Sequence, residues 1–367
     1  MKKIIRSIIV LSGVLLLSVI CFFTPQKVLE TEDDYCIVSQ NVPAHMRKIW
    51  FGNQLTLFSP DKKQTIARAP IIQGGFTDYS YSDGYLCYKT IYSGSSRLLR
   101  EKYDTDKLYI CNLMDKSGGQ DVIEEAECYV LGEGKLIYES TSGDLFYYDI
   151  DRKKKERIDW EWEQYSEGLY HIRWRNEESF YITDSSGKRL YCYSVKDKSA
   201  SLIFESDKMI NGIIPYQQDE VIIYGEAGLL KKRIGSDKKP SVLTEIENTV
   251  YKSGEGENLE DNVAGCPFAV GENGELYYDN NGYIWEYDMK SGSAKKMIDL
   301  RKIPGVNLDN ENSEISYKIG RDSIMVAVSL KKELIFSFYD YTGELKKRYE
   351  MPYPGWETSS YNRNRGA

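Results

Sequence analysis

Hydrophobic and polar residues alternate in short runs along most of this chain, and the runs come in groups of three. The clearest group is GELYYDNNGYIWEYDMKSGSAKKMIDL, from Gly274 to Leu300. Leu276-Tyr277-Tyr278 reads as one strand and Ile284-Trp285-Glu286-Tyr287 as a second, with Asn280-Asn281-Gly282 as the hairpin turn between them. Lys290-Ser291-Gly292 turns the chain again into a third strand, Lys296-Met297-Ile298. The same grammar recurs in Gly134 to Asp159, Glu178 to Phe204, Asp219 to Ile246 and Asp322 to Tyr349. Looser copies begin at Gly84 and at Lys48. The middle strands begin near Leu55, Leu108, Leu145, Leu190, Leu229, Ile284 and Leu334, spaced 37 to 55 residues apart.

A further short apolar run precedes most groups: Cys128 to Leu131, Leu169 to Trp174, Met209 to Pro215, Pro267 to Val270 and Ile315 to Ile319. The unit therefore has four strands. Four-stranded antiparallel units of this length, repeated four to eight times, form a β-propeller, because radial repetition hides sheet edges that one unit leaves open. The expected fold is all-β: a β-propeller of about seven four-stranded blades, with six or eight as alternatives, after an N-terminal transmembrane helix. The first unit lacks a clear innermost strand, which Tyr353 to Tyr361 could supply, latching the ring.

The N-terminus breaks this pattern. Lys2, Lys3 and Arg6 precede an uncharged stretch from Ser7 to Phe23, long enough for a helix across about 30 Å of hydrocarbon. Cations before such a stretch stay in the cytoplasm and the rest is exported. The stretch reads as an uncleaved anchor, with a cleaved signal peptide as an alternative. Lipidation at Cys21 is a further one, although Ile20 stands where a small residue is usual. The domain reading is 1–23 membrane anchor or signal sequence, 24–44 stalk or linker, 45–361 propeller and 362–367 frayed tail, in a single-pass protein of the cell membrane whose C-terminal domain is extracytoplasmic.

Composition narrows the function classes. The chain has 367 residues, a net charge of −8 and 30 tyrosines. Without Lys2, Lys3 and Arg6 the net becomes −11, which argues against nucleic acid as a partner. Beyond Cys21 six cysteines are widely scattered and form no CxxC. Cys87, Cys111 and Cys192 sit inside strand-like runs, so buried free thiols are expected rather than a disulfide framework or zinc site. The chain holds two histidines, His45 and His171, and neither HExxH nor GxSxG occurs. The carboxylate pairs Asp33-Asp34, Glu124-Glu125, Glu177-Glu178 and Glu260-Asp261 could in principle run glycoside hydrolysis. All read as turn or strand-end charges. No cofactor, metal or catalytic residue is assigned.

One constellation stands out. Trp160, Trp162 and Trp174 lie close together in sequence, beside His171, Arg173 and Arg175. In an extended Leu169 to Arg175, Tyr170, Ile172 and Trp174 point one way and His171, Arg173 and Arg175 the other. On an innermost strand, such a cationic and aromatic patch suits an anionic or sugar-like ligand. The bland alternative is packing between blades, with the arginines paired to carboxylates.

LYYDNNGYIWEYD at 276–288 and LIYESTSGDLFYYD at 136–149 carry a resemblance to the low-density-lipoprotein-receptor-like and domain-of-unknown-function β-propellers of exported bacterial proteins. It spans about residues 45–350. The resemblance implies a sensor, scaffold or carbohydrate- or peptide-binding module tethered to the cell surface. The expected function is thus a membrane-tethered binding or scaffold propeller without catalysis, its partner an unknown protein or glycan. The alternative is an exported hydrolase of glycans with carboxylates at the channel mouth.

Overall fold

The computed structural model describes residues 36–40, 54–68, 74–92, 107–114, 120–158, 172–246, 268–299, 302, 314–319, 322–329 and 333–352, apart from 133, 185, 272 and 281–282. These residues form an all-β propeller with six four-stranded blades. Blade 1 holds β4 (Gly74–Ser82), β5 (Tyr85–Tyr92), β6 (Leu108–Asn112) and β7 (Gln120–Ile123). Blade 2 holds β8 (Ala126–Gly132), β9 (Lys135–Ser140), β10 (Leu145–Asp149) and β11 (Lys154–Arg157). Blade 3 holds β12 (Ile172–Asn176), β13 (Ser179–Thr183), β14 (Arg189–Ser194) and β15 (Ser199–Glu205). Blade 4 holds β16 (Ile210–Tyr216), β17 (Glu220–Gly225), β18 (Gly228–Arg233) and β19 (Ser241–Thr244). Blade 5 holds β20 (Phe268–Val270), β21 (Leu276–Asn280), β22 (Tyr283–Asp288) and β23 (Ser293–Asp299). Blade 6 holds β24 (Glu314–Ile319), β25 (Ile324–Ser329), β26 (Glu333–Tyr339) and β27 (Leu345–Pro352).

A seventh, three-stranded sheet joins β1 (Cys36–Gln40), β2 (Gln54–Phe58) and β3 (Lys63–Arg68) in that order. It stands between the last blade and the first. Leu55, Leu57 and Ile66 share a core with Phe76, Tyr79 and Leu86 of blade 1. Phe58 packs on Met325, Ala327, Phe336 and Phe338 of blade 6. β1 falls in the stretch expected as a stalk, yet it pairs with β2. The suggested latch, Tyr353 to Tyr361, lies outside the described residues. So does the apolar stretch 1–23, and among the described residues no helix is long and apolar enough to cross a membrane.

The strands of a blade differ by position, for one physical reason. Both faces of a blade are covered by its neighbours, so a second strand is buried all round: β9 and β13 are buried at every position. Third strands alternate, as β10 does. Fourth strands face outward and are polar: β11 reads KKER and β23 begins SAKK, and lysine on an exposed edge discourages pairing with other chains. Lys155 lies 3.7 Å from the centre of the Phe146 ring and Lys296 3.8 Å from that of Tyr283, so their stems and charges also cover the aromatic third strands. Cys87, Cys111, Cys128 and Cys192 are buried free thiols.

Candidate functional site

β12 is the first strand of blade 3 and touches the first strands of both neighbouring blades, β8 and β16, so it belongs to the innermost layer. Its residues alternate as the sequence requires: Ile172 and Trp174 are buried, Arg173 and Arg175 partly exposed. Arg173 lies opposite Tyr181 and Trp174 opposite Phe180. The Trp174 ring, 7% exposed, meets Tyr147 at 6.1 Å and Phe180 at 5.8 Å, both edge-on. It presses on the backbone of Gly132, where a Cβ would overlap Cδ1 and come 3.0 Å from Nε1. Trp174 is thus the wall between blades 2 and 3, and its indole N–H is buried without a partner.

Arg175 reaches across to blade 4. Its Nη2 donates to the Gln218 carbonyl at 2.9 Å and lies 3.6 Å from Asp219 Oδ1. Burial pushes the Cys192 thiol up, and the nearby Arg175 only partly offsets this, so Cys192 remains a neutral thiol at neutral pH. The structure therefore brings Arg173, Trp174 and Arg175 onto one strand but assigns them different surroundings. Trp160, Trp162 and His171 lie outside the described residues, as does Cys21.

Buried charge, which the sequence pattern does not announce, appears on blade 2. β9 presents Lys135, Ile137 and Glu139 toward blade 3. Lys135 Nζ lies 3.1 Å from Asp149 Oδ2, and Asp149 Oδ1 also accepts the Arg152 amide at 2.9 Å. Burial raises the Asp149 pKa, but that amide and the Lys135 ammonium outweigh it and hold the carboxyl below its usual value. Glu139, 5% exposed, has no such cation. Burial pushes it up, and a 3.5 Å hydrogen bond from the Cys128 thiol offsets only part of the effect. At the seam of blades 1 and 2, the Tyr85 hydroxyl donates to Asp151. The pairs Glu124-Glu125 and Glu177-Glu178 are exposed. Among the described residues no group of three or more His, Cys, Asp or Glu could hold a metal ion.

No family model matches the chain, and no curated protein matches its sequence. The low-density-lipoprotein-receptor-like resemblance is therefore carried by no match. Solved structures share the fold. Puromycin hydrolase aligns with a TM-score of 0.56 at 11% identity, over 88% of this chain and 52% of that one. A quinonprotein alcohol dehydrogenase-like protein from Bacteroides thetaiotaomicron aligns with a TM-score of 0.51 at 13% identity, over 90% and 78%. KlAtg21, solved in complex with the coiled-coil of AgAtg16, aligns with a TM-score of 0.51 at 10% identity, over 89% and 99%. The chain spans about half the length of the puromycin hydrolase it matches. At such identities the likeness is one of fold, and a β-propeller fits a binding or scaffold module.

Proposed function

We propose that this chain is a membrane-tethered, extracytoplasmic propeller that captures an anionic or sugar-like group of a protein or glycan, without catalysis. The observation that supports it is the pair of arginines on β12. Ile172 and Trp174 lock the strand into the core, so Arg173 and Arg175 stand on a rigid support in the innermost layer. A guanidinium carried on a fixed strand has only its own side chain to order on meeting a carboxylate, sulfate or phosphate. The leader at 1–23 supports the tether. Hydrolysis finds less support: Glu139 carries the raised pKa a general acid needs, but it faces the packed wall between blades.

The test is a crosslinking pull-down of the full chain from its own carbonate-washed membranes, beside a glycan array. Trp174 is left intact, because its removal would open the core. Arg173→Ala should weaken capture at least about tenfold, the worth of one charge-assisted hydrogen bond, while its circular dichroism still shows the folded propeller. Equal capture by the variant removes β12 from the binding surface, and loss of the protein in the wash removes the tether.

A further inference from the structure

One outer strand lacks the protection that the others carry. Each blade ends on a strand with an open far side, and such an edge invites pairing with another chain unless it is short, charged or interrupted by proline. Blades 1 and 2 end on four residues each, QDVI in β7 and the wholly charged KKER in β11. Blade 4 also ends on four, SVLT in β19, entered through Lys238, Lys239 and Pro240. β23 carries Lys295 and Lys296, and β27 carries Lys346, Lys347 and Arg348 before Pro352. In the seventh sheet, β3 runs from Lys63 to Arg68. β15 of blade 3 has none of these devices: its seven residues, SASLIFE, hold no cation and no proline.

The edge is also accessible. Among the described residues no strand pairs with the outer side of β15. Ser199, Ser201, Leu202 and Glu205 are exposed, and Leu202, at 53%, is a large apolar side chain standing in water. The register against β14 is regular from Ser199 to Leu202 and shifts beyond it. A shift of this kind also lies between the third and fourth strands of blades 4, 5 and 6, so it does not set β15 apart. The charges at the two ends of the strand are already paired within the chain. Lys198 Nζ lies 3.6 Å from Glu156 of blade 2, and Arg189 Nε donates to Glu205 at 2.8 Å.

We infer that β15 is the contact between two copies of this chain, laid edge to edge and antiparallel about a two-fold axis near Ser201 and Leu202. Charge selects this occupant. A lysine-rich edge laid against itself crowds like charges, whereas β15 is uncharged from Ser199 to Phe204 and meets its own copy without repulsion. A highly charged partner segment would find no free counter-charge along this run. The two-fold arrangement also brings the two exposed Leu202 side chains close together and takes both out of water. A contact built on one strand is small, so the association is reversible.

Sedimentation velocity of the full chain in detergent micelles, across a concentration series, tests this. The parent should pass from monomer to dimer as concentration rises. Leu202→Lys, at an exposed position, should raise the dimer dissociation constant at least about tenfold, because it installs the lysine that other edges carry and sets two of them together. Leu345→Lys, at a position 52% exposed on the already guarded β27, should leave that constant unchanged. A second measurement uses the chain in its own membranes. Residues paired across antiparallel strands stand about 4.5–5.5 Å apart, within reach of a disulfide. Mild oxidation of Leu202→Cys should therefore give a covalent dimer above the background of the parent, and Leu345→Cys should not. A chain that stays monomeric at every concentration, a dimer weakened by both lysines or by neither, or equal crosslinking of the two cysteine variants overturns the inference. None of these substitutions touches β12, so ligand capture and assembly can fail separately.

Discussion

Single residues in this molecule are decided by which wall they face, and two carboxylates on blade 2 show it. Glu139 has a raised pKa, so the folded chain holds its proton more tightly than the unfolded chain. Its contribution is present below the ordinary glutamate value and is lost as pH rises through the raised one. Asp149 is the reverse: with its carboxyl held low, it stabilises above the ordinary aspartate value and that stability is lost as pH falls. Glu139→Gln should therefore raise the unfolding midpoint at pH 7 and flatten its fall as pH rises above the ordinary glutamate value. Asp149→Asn should lower the midpoint at pH 7 and converge with the parent in acid. Melting curves across pH check both, and parallel curves for parent and Glu139→Gln would contradict the assignment. The sequence showed part of this. The alternation in β12 correctly set Trp174 opposite Arg173, but which face was core was not legible. Both faces of a blade are covered, so an inter-blade wall and a ligand surface carry the same alternating pattern. Lys135 and Glu139 were hidden for a related reason: in KLIYES every position is buried, and nothing in the run marks two of them as charged and enclosed.

Elements were far more legible than sites, because turn chemistry and strand period are local. Middle strands expected near Leu55, Leu108, Leu145, Leu190, Leu229, Ile284 and Leu334 begin within a residue of those positions in β2, β6, β10, β14, β18, β22 and β26. Among the strands that escaped, beside β1 and β7, is β4. Phe76, Tyr79 and Tyr81 are buried, and the pairing with β5 shifts between Thr77 and Ser80, so the irregularity breaks the period of two. The turns carry their own stabilisation. Asp184 Oδ1 accepts the Lys188 amide at 3.1 Å, the Arg189 amide at 3.2 Å and the Ser186 hydroxyl at 2.8 Å, closing the loop between β13 and β14. Asp288 and Asp340 close the third-to-fourth turns of blades 5 and 6 in the same way. Asp184→Ala should cost about 1–2 kcal/mol in denaturant melts, since the turn then has amides without acceptors, and Asp184→Asn should recover most of it. A neutral Asp184→Ala would mean that the hairpin is held by its strands alone.

At the scale of the molecule, the repeat count implied a closed circle, but the sequence, which offered only Tyr353 to Tyr361 as a latch, did not point to the contact between the first sheet and blade 6. That contact joins positions far apart in the chain, and no local pattern encodes it. Phe58 stacks on Phe336 with ring centres 4.9 Å apart and meets Tyr349 edge-on at 5.3 Å, while the Tyr349 hydroxyl donates to the Ser59 carbonyl at 3.0 Å. Every other seam joins sheets that follow one another in the chain, so its neighbours stay close even when the seam opens. This one joins the first sheet to the last, and its closure carries the loop entropy of nearly the whole propeller. In an array stabilised by nearest-neighbour contacts, a weak link there should release both ends and leave the middle folded. Phe58→Ala should cost about 3–5 kcal/mol, the usual loss for a buried phenylalanine. The loss should also be unevenly spread. In hydrogen exchange, amides of β2, β3 and β25 to β27 should lose protection together, while those of β9, β13 and β17 exchange as in the parent. Phe180→Ala, which removes a similar ring from the wall of blades 2 and 3, should not release the β2–β3 and β25–β27 amides in this way. Uniform deprotection around the wheel by Phe58→Ala would show that the blades unfold as one unit and that the seam has no special standing.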